Sequence, residues 1–264
     1  MIRPQSIAIT SGKGGVGKTY LSINLAVAIQ RLQQRVLLFD SDLALANAHI
    51  FLGSQVEHTI LDALGDHMSM RDILTDGPDG MKLIAGGSGL SELLGLSPDL
   101  RRHIVSMFTD LTPYFDYLIV DTAAGIEENV LDFVEASDRI MVVVVGEPAA
   151  FIDAYASIKV LSQESGREDF DIIVNMARDE AHGNEIFQRF KAISSEFLHV
   201  NLNHIATIPH DDFLLKAVSR CEPMVKAYPR CARCARHRAA GRHHHFIPRS
   251  RTCGSAPWFL LSLR

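Results

Sequence analysis

The chain of 264 residues is short of cysteine, tryptophan, long apolar runs and positive charge in its main body. It has four cysteines and one tryptophan, and Cys231, Cys234, Cys253 and Trp258 all fall after residue 229. A disulfide scaffold is thereby excluded, because such scaffolds crowd cysteines into small secreted chains. The most apolar strand-like run, Ile140 to Val145, is far below the ~20 residues that a membrane-crossing helix needs. The opening Met1-Ile2-Arg3-Pro4 has no leader pattern and leads straight into an apolar strand, so the expected location is the cytoplasm. The formal net charge is -5, yet residues 230 to 264 hold eight arginines, no lysine and no acid. The first 229 residues therefore carry 18 basic against 31 acidic side chains. Phosphate neutralisation needs clustered Lys and Arg, so this acidic body argues against DNA as a partner.

What is present is the pattern of a layered α/β protein. Hydrophobic residues make up 47% and charged residues 22%, enough for a substantial core. Strands are expected at Ser6 to Thr10, Val36 to Phe39, Met81 to Ala85, Tyr117 to Val120, Ile140 to Val145, Asp171 to Val174 and His204 to Ile208. Helices are expected at Thr19 to Gln33, Leu100 to Leu111, Asn129 to Val134, Ala150 to Leu161, Asn184 to Phe197 and Phe213 to Val218. The strands are continuous apolar runs, as when helices cover both faces of a parallel sheet. The expected fold is a doubly wound, mostly parallel sheet in one domain, residues 1–229. Residues 230–264 follow as an irregular tail. Its Arg, Ala, Gly, Pro, Cys and His composition reads as GC-rich sequence translated out of frame. A genuine basic tail, and a zinc site built on Cys231-x-x-Cys234 with His243, His244 and His245, are the alternatives.

The chemistry concentrates at strand ends. Gly12-Lys13-Gly14-Gly15-Val16-Gly17-Lys18-Thr19 fits G-x-x-x-x-G-K-[ST] between a strand and a helix, the context of a phosphate loop. Glycines let backbone N–H groups turn toward phosphate oxygens, and the helix N-terminus adds positive potential. Lys18 would reach the β and γ phosphates of a nucleotide, and the Thr19 hydroxyl would bind Mg²⁺. Asp121 ends an apolar strand and is the expected second Mg²⁺ anchor, through water. Asp40, Asp42, Asn175 and Pro209-His210-Asp211 also fall at strand C-termini, where ligands of such sheets sit.

The second lysine of the loop, Lys13, carries a resemblance. Lys13-Gly14-Gly15-Val16-Gly17-Lys18-Thr19 resembles the deviant phosphate loop of the MinD/ParA family of dimerising ATPases, P-loop NTPases of the SIMIBI type. The resemblance implies an ATP-dependent homodimer in which Lys13 reaches the partner's nucleotide. It implies that Asp42, in a segment like the family's first switch, orients the attacking water, with Asp40 a loop residue behind it. Asp121-Thr122-Ala123-Ala124-Gly125 is similar to the second switch, so Gly125 is expected to offer a backbone N–H to the γ-phosphate. Asn175 is expected to hydrogen-bond adenine, and Pro209 to Asp211 to pack on it. Within the family, Gly86 to Leu93, Glu147-Pro148 to Lys159 and Val174 to Ala177 resemble the flagellar-number regulators, FlhG (also called FleN). That branch implies partners such as an FlhF-type SRP GTPase or a flagellar transcription activator. Only Met1 to Gln5 precede the first strand, and no C-terminal amphipathic helix is evident, so activation of the GTPase and docking at the inner membrane face stay open. A MinD-type division-site ATPase, a ParA-type partition ATPase and an iron–sulfur scaffold ATPase using Cys231 and Cys234 are the alternatives.

Overall fold

The computed structural model describes residues 4–43, 46–65, 68–87, 97–126 and 128–228. The expected tail, the switch residue Ala44 and the segment from Ser88 to Leu93 lie outside the described residues. The strands are β1 (Gln5–Thr10), β2 (Val36–Asp40), β3 (Thr75–Asp76), β4 (Lys82–Ile84), β5 (Tyr117–Asp121), β6 (Arg139–Val144), β7 (Asp169–Ala177) and β8 (Asn201–Pro209). The helices are α1 (Lys18–Arg31), α2 (Ala48–Leu52), α3 (Ile60–Leu64), α4 (Pro98–Met107), α5 (Glu128–Glu135), α6 (Pro148–Ser165), α7 (Glu180–Phe197), α8 (Asp212–Ser219) and α9 (Met224–Ala227).

The strands form one sheet in the order β3-β4-β2-β5-β1-β6-β7-β8. Only the short β3 runs antiparallel, against β4. Helices cover both faces, as the apolar strands require. On one face Ala8, Val120, Val142 and Val174 pack with α5, α6 and α7 through Phe133, Ile158 and Phe190. On the other, Ile7, Ile119 and Met141 pack with α1 through Ile23 and Val27. Successive residues of a strand thus feed opposite layers, and burying both removes the polar alternation of a half-exposed strand.

Differences from the expected elements have local causes. The spacing of Leu21, Leu25, Ile29 and Leu32 describes a one-sided helix, yet α1 is buried nearly all round. Its outer side is covered by the C-terminal segment: the Tyr20 hydroxyl donates to the Glu222 carbonyl at 2.8 Å, and the Val225 N–H donates to Asn24 Oδ1 at 3.1 Å. The helix expected to Leu111 ends at Met107 and continues as a 3₁₀ turn over Phe108–Tyr114, because Pro113 brings no N–H and crowds the preceding turn. The helix expected from Asn184 starts at Glu180, where Asp179 accepts from the His182 N–H at 2.8 Å. Helices α2, α3 and α9 and strand β3 are too short to print a periodicity.

Candidate functional site: a glycine loop beside two buried carboxylates

Strand β1 delivers the chain into the loop Ser11 to Gly17, and α1 departs from it. Gly17 has φ +91° and offers no side-chain cap, so the first N–H groups of α1 open into the loop. Two glycines are demanded by space. A Cβ on Gly12 would stand 2.1 Å from the Asp153 carbonyl carbon of α6. A Cβ on Gly17 would stand 2.6 Å from Asn175 Nδ2. Gly14 and Gly15 face open space, Gly15 at φ +77°, while Val16 is buried beneath them.

The inner lysine is set deep. Lys18 is 8% exposed and its Nζ donates to Ser11 Oγ at 2.9 Å. Ser11 Oγ in turn donates to the Lys13 carbonyl at 2.7 Å. Burial pulls the Lys18 pKa down from its ordinary value, and the nearby charges of Asp121 and Asp42 oppose that pull. The outer lysine is different. Lys13 Nζ lies 2.6 Å from Glu147 Oε2, with the two side chains 39% and 64% exposed. That contact raises the Lys13 pKa.

The acids are brought together by strand register. Asp40 and Asp121 face each other across the β2–β5 pair. Asp121 is 1% exposed; burial, then the Asp40 charge, pushes its pKa up to about 7, against the pull of Thr19, Ser22 and Lys18. The Ser22 hydroxyl lies 2.8 Å from Asp121 Oδ1 and holds it from α1. Burial likewise pushes Asp40 up to about 6. Its carboxylate accepts from the N–H groups of Asn47 and Ala48 at 2.8 and 2.9 Å, capping α2, and from Asp42 at 3.2 Å. Asp40 therefore shapes the segment that carries Asp42. Asp42 itself is half-buried and near enough to Lys18 for their charges to attract.

The remaining expected residues also converge here. The Gly125 N–H, at φ +106°, donates to the Ser11 carbonyl at 3.0 Å, so offering it to a phosphate requires that bond to open. Asn175 lies inside β7 rather than past its end, and its Nδ2 donates to the Val16 carbonyl at 2.7 Å. One half of its amide thus braces the loop. Asp211 caps α8 by accepting from the Phe213 N–H at 2.8 Å, and Pro209 pairs with Ala177 of β7. Ser11, Ser22 and Glu147 were not among the expected site residues. Ser22 was legible only as a polar residue one turn after Lys18; Glu147 stood out only within a segment of family likeness, with no site role attached.

The donor set fits a magnesium–nucleotide complex. Two buried carboxylates and a hydroxyl, Asp121, Asp40 and Thr19, lie beside a desolvated lysine at an uncapped helix start, so a divalent cation and an anionic phosphate would each meet complementary charge. A separate cavity of about 600 Å³ lies at the opposite end of the sheet, lined by Gln30, Arg35, Arg71, Lys82 and Tyr114 among others. Its Arg35 and Lys82 are already paired, with Asp116 and Asp76.

Similar proteins place the chain in a family. The chain is 39% identical over 226 residues to the antiactivator FleN of Pseudomonas aeruginosa, spanning 86% of this chain and 81% of that protein. It is 33% identical over 227 residues to the flagellum site-determining protein YlxH of Helicobacter pylori, spanning 84% and 76%. Among solved structures, the MinD cell division protein of Aquifex aeolicus superposes with a TM-score of 0.70 at 27% identity, covering 85% of this chain and 90% of that one. The model of the CobQ/CobB/MinD/ParA nucleotide binding domain matches residues 7–224, and the chain belongs to that family.

Proposed function

We propose that the chain is an ATP-driven dimerising switch that regulates flagellar number or placement. The observation that carries the reading is the opposite setting of the two loop lysines, Lys18 buried and Lys13 on the rim. A buried, desolvated ammonium suits phosphates of the same subunit. An exposed one held by a surface ion pair is free to exchange partners, because water screens such pairs and they add little to stability.

In this reading Lys18 and the loop N–H groups hold the β and γ phosphates of ATP. Thr19 and, through water, Asp121 would hold Mg²⁺, which would supply further neutralisation of phosphate charge. The Asp42 carboxylate orients the attacking water and accepts its proton. Gly125 exchanges the Ser11 carbonyl for the γ-phosphate, which couples the second switch to the nucleotide. Asn175, Pro209 and Asp211 border the adenine. Lys13 leaves Glu147 and completes the partner's site, so two facing ATP sites close one dimer. Hydrolysis is slow and confined to the dimer, and ATP must bind the dimer far better than the monomer for it to act as a switch.

The flagellar output is supported by the relative named a flagellum site-determining protein, and the name antiactivator of the other favours a transcription activator as partner, with an FlhF-type GTPase second. The protein would work in the cytoplasm, with peripheral contact at the inner membrane face as the further step. No described helix is long and apolar enough to cross a membrane. Residues 230–264 are read as out-of-frame sequence after an ATPase unit ending near residue 229, which sequencing the gene across the codons for Ala227 to Cys234 tests. A MinD-type division role is the second reading, favoured by the likeness to the Aquifex aeolicus structure. Phosphate release by Lys13→Ala and Asp42→Ala proteins tests the switch. Loss of hydrolysis is expected in both, with Asp42→Ala still dimerising on ATP. Wild-type turnover in either would overturn the mechanism.

A further inference from the structure

Strand β7 carries an irregularity that the mechanism above does not use. Asn175 pairs with Ile208 and Ala177 with Pro209, and the ladder shifts between them so that Met176 has no partner. Met176 sits at φ +58°, in the left-handed region that an L side chain with a Cβ avoids and glycine or asparagine adopts readily. Its side chain is 45% exposed, although it belongs to a strand that is otherwise mostly buried. The His210 N–H closes the far side of the kink by donating to the Ala177 carbonyl at 2.7 Å. Bulges and strained residues gather where a side chain is aimed at a ligand.

The direction of Met176 is fixed by its neighbours. A Cβ on Gly17 would stand 3.8 Å from Met176 Cε, so the thioether lies against the last glycine of the loop. Asn175, one residue earlier, holds the Val16 carbonyl of that same loop. Pro209 flanks the kink on β8. An exposed, flexible and polarisable side chain thus borders the start of α1, between an amide and a proline. A flat heteroaromatic ring would find dispersion and sulfur–ring contact there.

We infer that Met176 is a base-contact residue: its thioether forms one wall of the slot that takes the purine ring of the nucleotide whose phosphates the loop holds. The inference rests on the reading of the loop as an ATP site and adds a residue that recognises the base rather than the phosphates. It also explains the strain. A glycine would relax the backbone but leave the ring without its wall.

Calorimetric titration of the full chain with ATP and with inorganic tripolyphosphate, both with Mg²⁺, tests this. Met176→Gly is expected to weaken ATP about tenfold, the size of one lost thioether–ring contact with its burial. Tripolyphosphate should bind it within about twofold of wild type, since it has no ring to lose. The melting temperature of Met176→Gly should rise, because glycine accepts the positive φ. Met176→Leu should keep ATP binding within about threefold, since it retains an apolar wall. ATP bound equally well by wild type and Met176→Gly would overturn the inference alone, as would equal weakening of both ligands, which would make Met176 a support of the loop. A wild-type chain that binds neither ligand would overturn the nucleotide reading and the inference together.

Discussion

The floor and the rim of the glycine loop are built on opposite principles. On the floor, Lys18 and Ser22 of α1, Asp40 of β2 and Asp121 of β5 are buried and tied by hydrogen bonds or facing charges. On the rim, Lys13 with Glu147, Gly125 with Ser11, and Met176 beside Gly17 make single contacts that can exchange. A buried charge costs several kcal/mol to leave unpaired, so the floor has one arrangement. An exposed ion pair or one backbone bond is worth about 1 kcal/mol or less, so the rim can hold two. A site that must keep its phosphate geometry yet change its outer contacts needs both.

The contrast can be broken from the floor first. Lys18→Ala removes the lysine of the floor and leaves Asp121 without the nearby positive charge that favours its ionised form. Phosphate release should fall more than about a thousandfold and ATP binding should weaken strongly in titration. Lys13→Ala should cost about a hundredfold in hydrolysis while ATP affinity of the monomer changes less than about threefold and the melting temperature stays put. A matched loss of binding in the two variants would erase the distinction between floor and rim. Gly12→Ala should destabilise the fold by about 3 kcal/mol or more in denaturant titration, because the new methyl meets the backbone of α6 at 2.1 Å.

Proton uptake offers a subtler test. Asp121 and Asp40 have folded-state pKa values raised to about 7 and about 6. The folded chain therefore binds more protons than the unfolded chain between about pH 4 and pH 7, and stability without ligand should fall as pH rises through that window. The melting temperature of the ligand-free protein is expected to drop from pH 5 to pH 7.5, and Asp40→Asn should flatten the slope. The smallest effect belongs to the rim. Glu147→Gln should change stability by under about 0.5 kcal/mol, yet let ATP-dependent dimers form at two- to threefold lower ATP in analytical ultracentrifugation, because Lys13 is no longer held.

The likeness to sequence expectation follows the same division. The loop and Asp121 stood out because glycine spacing, an apolar strand and its terminal acid are contiguous. Asn175 was expected at a strand end that lies two residues further on, because β7 continues through its irregularity to Ala177. Helix α2 was missed because its start is capped from outside, by Asp40 of β2, and its five residues show no repeat. The near-complete burial of α1 was out of reach of local pattern for a similar reason: α9 and the Glu222 carbonyl cover it from far along the chain.

The sequence by itself determined the layered α/β class, the phosphate loop and its two lysines, and the acids at strand ends. These depend on neighbours within a turn or a strand, where apolar period and backbone freedom act directly. Only the tertiary structure decided that Asp40 meets Asp121, that Lys13 rests on Glu147, that Asn175 braces Val16 and that Met176 turns toward Gly17. Those pairings join residues from 81 to 159 positions apart for the first three cases' far ends, such as Asn175 with Val16 at 159 and Asp40 with Asp121 at 81. They follow from strand order, in which β5 lies between β2 and β1, and no local pattern encodes that order.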